Sequence, residues 1–171
     1  MASIRVGTAS WTDKSLLESG AYYPDWCKSA EDRLKFYSAE FPLVEVDSSY
    51  YALPSERNSA LWVKRTPEDF AFNVKAFRLF TTHQTQPQAL PRNVREQLPG
   101  ELAAKKSLYY RDLPPELTDR LWRMFEGALQ PLHQAGKLGV VVFQFPPWFM
   151  PDQASYRHIE ECQERLPQYP L

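Results

Sequence analysis

The sequence predicts an α/β chain in which short parallel strands alternate with helices. Three observations carry this. Strand-like runs recur: period-two alternation at residues 43–47 and 70–77, a continuous apolar run at 138–145, and a short β-like run at 4–8. Stretches with apolar residues at helical spacing, several opened by a capping side chain, lie between them. The resulting order, β-α-β-α-β-loop-α-β-α, implies parallel pairing through right-handed crossovers.

The elements follow in order. Residues 4–8 form a first β-like run ahead of Ala9-Ser10-Trp11, and Tyr22 to Trp26 make an aromatic loop. Ser29 is placed to cap a helix whose first turn carries Glu31 and Asp32, where the helix dipole favours acids; Leu34, Tyr37 and Phe41 form its apolar face, and Pro42 ends it. The second strand centres on Glu45 and leads into the aromatic pair Tyr50-Tyr51. Ser55 caps a helix reaching about Thr66, because Pro67 disfavours helix at the residue before it. The third strand is expected at 70–77. Residues 84–113 break the rhythm: polar, with Pro87, Pro91 and Pro99, they read as a mobile lid or insertion with one helical turn near 101–106. Pro114-Pro115 opens the strongest helix, lined by Leu117, Leu121, Met124, Phe125, Ala128, Leu129 and Leu132; Pro131 is expected to kink its last turn, and Gly136 to cap its end. The fourth strand is the apolar run 138–145. Asp152 caps a final helix with Ile159, Cys162 and Leu166 turned inward.

Composition bounds the function. The chain has 171 residues, enough for one sizeable core, and Lys+Arg 20 balances Asp+Glu 21, so no basic field favours a general nucleic-acid coat. Cys27 and Cys162 have no metal or redox spacing and read as reduced thiols of a cytoplasmic protein. No stretch approaches the ~20 apolar residues of a membrane span, and residues 1–6 lack the apolar run of a signal peptide. There is no phosphate loop, dinucleotide fingerprint or G-x-S-x-G elbow, and Ser48-Ser49 has no evident base.

The motif series is specific. Val6-Gly7-Thr8-Ala9-Ser10-Trp11, Tyr23-Pro24, Trp26 and the run from Val44 through Pro54 resemble the YecE-like family, a widespread domain of unknown function. So do Trp62, Arg65-Thr66-Pro67, Phe70, Phe72, Val74-Lys75-Ala76, Thr82-His83, Leu138-Gly139 and Phe143-Gln144-Phe145-Pro146-Pro147. The resemblance covers nearly the whole chain outside 84–113 and implies a TIM-type (β/α)8 barrel. A full barrel takes ~250 residues, so residues 1–171 are expected to form one incomplete domain, about the first half of the barrel. Asp47 stands where the family usually has asparagine, and the family's later strand motif, Glu-Phe-Arg followed by Ser-Trp, is absent.

Alternation points to a site. Val44, Val46, Val74 and Ala76 suit a helix-facing side, which leaves Glu45, Asp47, Asn73, Lys75 and Gln144 on the opposite, lumenal one. A buried carboxylate or ammonium is costly unless paired, so Glu45 and Lys75 are expected partners. Their pairing serves either to neutralise a crowded interior or to set the charge of a ligand or proton-transfer site. Barrel active sites lie at the C-terminal ends of the strands. Glu45, Asp47, Lys75 and His83 are therefore the candidate catalytic residues, with His83 available as acid or base. Trp11, Tyr23, Trp26, Ser49, Tyr50, Thr82, Gln144 and Trp148 are the candidate ligand-binding residues; the aromatics among them either wall a flat or sugar-like ligand or pack long loops. His133 and His158 read as surface residues, and no metal set or cofactor is indicated.

Three functions remain open from this pattern. The first is acid–base chemistry on, or binding of, a small polar molecule. The second is a non-catalytic module that stacks ligands or single-stranded nucleic acid on the aromatic rim. The third, by fold analogy alone, is a metal-dependent phosphodiesterase or isomerase. Open sheet edges also predict self-association.

Overall fold

The computed structural model describes residues 4–171. Short apolar segments with β-branched residues form a three-stranded parallel sheet, in the order β1 (Leu43–Val46), β2 (Ala71–Lys75), β3 (Leu138–Val142). The alternating side chains divide between two faces. Val44, Val46, Phe72, Val74 and Val141 are buried against the helices, whereas Glu45, Asn73 and Lys75 are half-buried on the other side. The fold is thus a mixed α/β one whose parallel sheet is covered on one face.

Four helices open on a capping side chain. α1 (Lys14–Glu18), which the sequence pattern does not announce, starts at Asp13, whose carboxylate accepts from Ser15 N. Ser29 and Asp32 form a reciprocal capping box at α2 (Ala30–Glu40). The aromatic stretch after β1 closes into one helical turn, α3 (Ser48–Tyr51). Ser55 accepts from Asn58 N at 3.1 Å to start α4 (Glu56–Lys64). Beyond α5 (Arg92–Arg95) and α6 (Gly100–Ala103), the long α7 (Pro115–Gln134) continues through Pro131. It stops in a Schellman turn: Gly136 at φ +66° donates to His133 O, and Lys137 donates to Leu132 O at 2.8 Å. Asp152 caps α8 (Gln153–Arg165) by accepting from Ser155 N. Among the described residues, no helix is long and apolar enough to cross a membrane.

Several expectations are corrected. Residues 4–8 form no strand. Their continuation joins the sheet through one parallel bridge, Ala9 to Glu45, with Ser10 N to Glu45 O at 2.9 Å and Glu45 N to Thr8 O at 3.0 Å. Ser10, at φ +86°, then turns the chain out of line. The third and fourth strands are shorter than expected, ending at Lys75 and Val142. Residues 84–113 are anchored rather than loose: Leu90, Val94, Leu98, Leu102, Leu108 and Leu113 are all buried, and Thr85 pairs with Leu108 as an antiparallel bridge. Tyr110 fixes this segment further, donating to Glu161 of α8 at 2.6 Å and accepting from Trp122 of α7 at 2.9 Å. Ile159 is 44% exposed rather than inward. His158 is half-buried, with its Nε2 at 2.7 Å from Phe80 O.

Two local devices set the sheet. β3 carries a bulge, in which Gly139 and Val140 together oppose Asn73. Asn73 Oδ1 lies over Gly139 so closely that any side chain there would collide with it, and it accepts the Val140 N–H at 3.1 Å. At the base of β3, Lys137 is 5% exposed. Its ammonium donates to Val63 O at 2.9 Å, Thr66 O at 2.8 Å and Thr66 Oγ1 at 3.0 Å, tying the strand to the C-terminal end of α4. Burial pulls the Lys137 pKa below its usual value.

Candidate functional site

The open face of the sheet gathers charge at the C-terminal ends of β1 and β2. In-register pairing sets Glu45 beside Asn73 and Val46 beside Val74, so Lys75 lies one step beyond, level with Asp47. Lys75 Nζ donates to Asp47 Oδ1 at 2.8 Å and stands 3.8 Å from Glu45 Oε1. The expected Glu45–Lys75 pair is therefore present, but Asp47 is the nearer partner. The reason is local: after Val46 the chain turns into α3, with Asp47 N reaching back to Glu45 O, and this swings the Asp47 carboxylate toward β2. The three side chains are 18–30% exposed. Burial alone would lower the Lys75 pKa, but the Asp47 hydrogen bond and charge and then the Glu45 charge outweigh it and hold it above the ordinary lysine value.

Aromatic and cationic groups border this cluster. The Tyr50 ring lies 5.6 Å from Lys75 Nζ, 5.4 Å from the Arg78 guanidinium and 5.3 Å from the His83 ring. His83 in turn sits 5.9 Å from Trp148. Burial and then the Arg78 charge push the His83 pKa below its usual value, which favours the neutral imidazole. Its Nδ1 is 2.9 Å from Thr81 Oγ1. Thr82, next to it, is held at φ +61°, a conformation that a β-branched residue rarely adopts.

The other sequence-selected residues fall in different places. Ser49 is 1% exposed, and its Oγ lies 2.6 Å from both Val46 O and Lys75 O, so it pins the ends of β1 and β2 rather than facing the open side. Trp11 is carried into the helix-side core, edge-on to Trp62 and Phe72, because the Ser10 turn redirects the chain. Tyr23 donates to Trp11 O and packs on Tyr22 and Phe36. Trp26 is 61% exposed, also beside Phe36. Tyr23 and Trp26 therefore pack together on Phe36 of α2, whereas Trp11 belongs to the core beneath the sheet. Gln144 lies past the end of β3 and is exposed. Arg78 is the residue that sequence reasoning missed. Its signal was its position three residues after Lys75, just past the strand end where the site lies.

A parallel α/β scaffold with paired charges and aromatics at its strand ends is the class that this geometry defines. The chain belongs to the family described as "Protein of unknown function DUF72", whose model matches residues 5–171 and of which YecE-like is another name. It is 31% identical over 167 residues to the UPF0759 protein YunF of Bacillus subtilis (strain 168), covering 98% of this chain and 48% of that protein. Two solved structures resemble it. The DUF72 family protein EF0366 of Enterococcus faecalis V583 gives a TM-score of 0.62 at 20% identity, covering 97% of this chain and 49% of its own. The DUF72 family protein TM1631 of Thermotoga maritima MSB8 gives 0.60 at 25% identity, covering 98% and 52%. The chain thus spans about half the length of the relatives it matches.

Proposed function

We propose that this chain binds a small polar molecule at the C-terminal ends of β1 and β2 and supports acid–base chemistry there. The observation that carries this is Lys75, held between Asp47 and Glu45 on the open face of the sheet with the neutral His83 nearby across the Tyr50 ring. Lys75 and the two carboxylates would set the field around the bound molecule. Asp47 or His83 would move the proton, because a neutral imidazole can accept one at pH 7. Supporting the larger frame, we read the sheet as part of the first half of a TIM-type barrel in a cytoplasmic protein, with residues 84–113 covering the rim. Parallel strands, a polar open face and a site at the strand ends fit such a barrel.

The test is a saturation-transfer NMR screen of sugars, amino acids and organic acids against the wild-type chain, Lys75→Met and Asp47→Asn. Hits that vanish in both variants while far-UV circular dichroism is unchanged are expected. Hits that persist in both, or variants that only unfold, would leave the trio as a structural ion-pair group and overturn the reading.

A further inference from the structure

A second recess lies beside this cluster. The anchored segment 84–113 and the loop after β3 enclose a cleft of about 500 Å³, with Thr82, Tyr109, Arg111, Trp148, Phe149 and Asp152 among its walls. Three features set it apart from ordinary loop packing. Trp148 is 63% exposed, a large apolar face left open to a partner. Arg111 is exposed, with its guanidinium 5.9 Å from the Tyr109 ring, and Thr82 beside it at the wall is half-buried. Thr82 is also held in its strained left-handed conformation at the cleft wall.

The chemistry selects a ligand. Trp148, Phe149 and Tyr109 offer ring faces, which recognise a flat ring by stacking. Arg111 offers donors, and Asp152, which uses one oxygen to cap α8 through Ser155 N at 2.8 Å, keeps a second acceptor oxygen. One positive and one negative group leave the walls with no net charge, so the ring they suit is uncharged and carries both acceptor and donor atoms on its edge. The Trp148, His83 and Tyr50 rings pack edge-on between the cleft and the Lys75 ammonium, in steps of 5.9, 5.3 and 5.6 Å.

We infer that this cleft holds the flat heteroaromatic ring, of nucleobase type, of a free small molecule. It is a site apart from the Lys75 cluster, none of whose residues lines it. A free molecule fits better than a polymer because the chain, with Lys+Arg 20 against Asp+Glu 21, has no basic field to hold a phosphate backbone.

The experiment titrates adenosine, guanosine, cytidine and uridine separately into the 171-residue chain and follows tryptophan fluorescence and one-dimensional NMR line broadening. At least one nucleoside is expected to bind saturably. Arg111→Ala should weaken it several-fold, and Trp148→Ala, read by NMR because the reporter is removed, about tenfold or more. Thermal melts check that both variants fold. Weakened affinity in both variants supports the inference. No saturable binding by any nucleoside overturns it. So does binding seen only with a single-stranded oligonucleotide and falling steeply with salt.

Discussion

Replacing Lys137 by methionine tests the account of how β3 is fixed to α4. Methionine keeps most of the apolar stem and removes the ammonium. Val63 O and Thr66 O, together with Thr66 Oγ1, then lose a donor at 2.8–3.0 Å. Stripping a buried acceptor costs about 1–3 kcal/mol each. Against this, the variant no longer holds an ammonium at 5% exposure, a burial that already drags its pKa down. The balance is a loss of about 2 kcal/mol, which for a chain of this size lowers Tm by roughly 4–8 °C. Urea unfolding followed by circular dichroism measures it, with Lys64→Met on exposed α4 as a control expected within about 0.5 kcal/mol of wild type. The pH dependence adds a signature. The folded chain holds Lys137 below 10.5, so between that lowered value and 10.5 the unfolded chain binds more protons, and stability from this group rises with pH. Lys75 does the reverse: its raised pKa gives stability fully present below 10.5 and lost as pH climbs through the folded value. Lys137→Met and Lys75→Met should therefore change the alkaline limb of the stability curve in opposite senses. A Lys137→Met chain as stable as wild type, with an unchanged alkaline limb, would refute the assignment of Lys137 as the fastening of β3 to α4.

Three further outcomes are expected. Asp47→Asn should destabilise the chain more than Glu45→Gln, by about 1 kcal/mol, because Lys75 is 2.8 Å from the first carboxylate and 3.8 Å from the second, and both are partly screened; equal denaturation midpoints would contradict this. The His83 imidazole should titrate below 6.5 in two-dimensional NMR, and its contribution to stability should fall away as pH drops from 6.5 through that lower value, since protonation is harder in the fold. Gly139→Ala should lose at least about 1 kcal/mol by crowding Asn73, and a double-mutant cycle with Asn73→Ala should show strong coupling between the two positions.

How much of this was legible in the sequence differs from residue to residue. Strand alternation placed Glu45 and Lys75 on one face correctly, because Val44, Val46 and Val74 must be buried for the sheet to form. The caps Ser29, Ser55, Asp152 and Gly136 were legible for the same reason: each answers a local backbone demand visible within a few residues. The precedence of Asp47 over Glu45 was not, since it depends on where β1 ends and α3 begins. The burial of Trp11 depends on the positive φ of Ser10, which no side-chain pattern announces. The anchoring of 84–113 did leave a trace, in Leu90, Val94, Leu98 and Leu102 at every fourth position. The prolines that interrupt its helices conceal it, because each break resets the helical register. Nothing in the sequence marks Lys137, because only the approach of the end of α4 gives it acceptors.

The doubled residue of β3 acts as a phase slip in a two-stroke rhythm. Leu138 and Val141 are an odd number of steps apart, yet both stand opposite residues of the helix-facing set, Phe72 and Val74. A strand that kept time from Leu138 onward would send Val142 to the helix layer and Val141 to the Lys75 side. Because one beat is dropped at Gly139–Val140, Val142 instead falls beside Lys75. The wall that β3 presents to the charged cluster is therefore chosen not by its own sequence of valines, which are interchangeable to the eye, but by a bare α-carbon under the amide of Asn73.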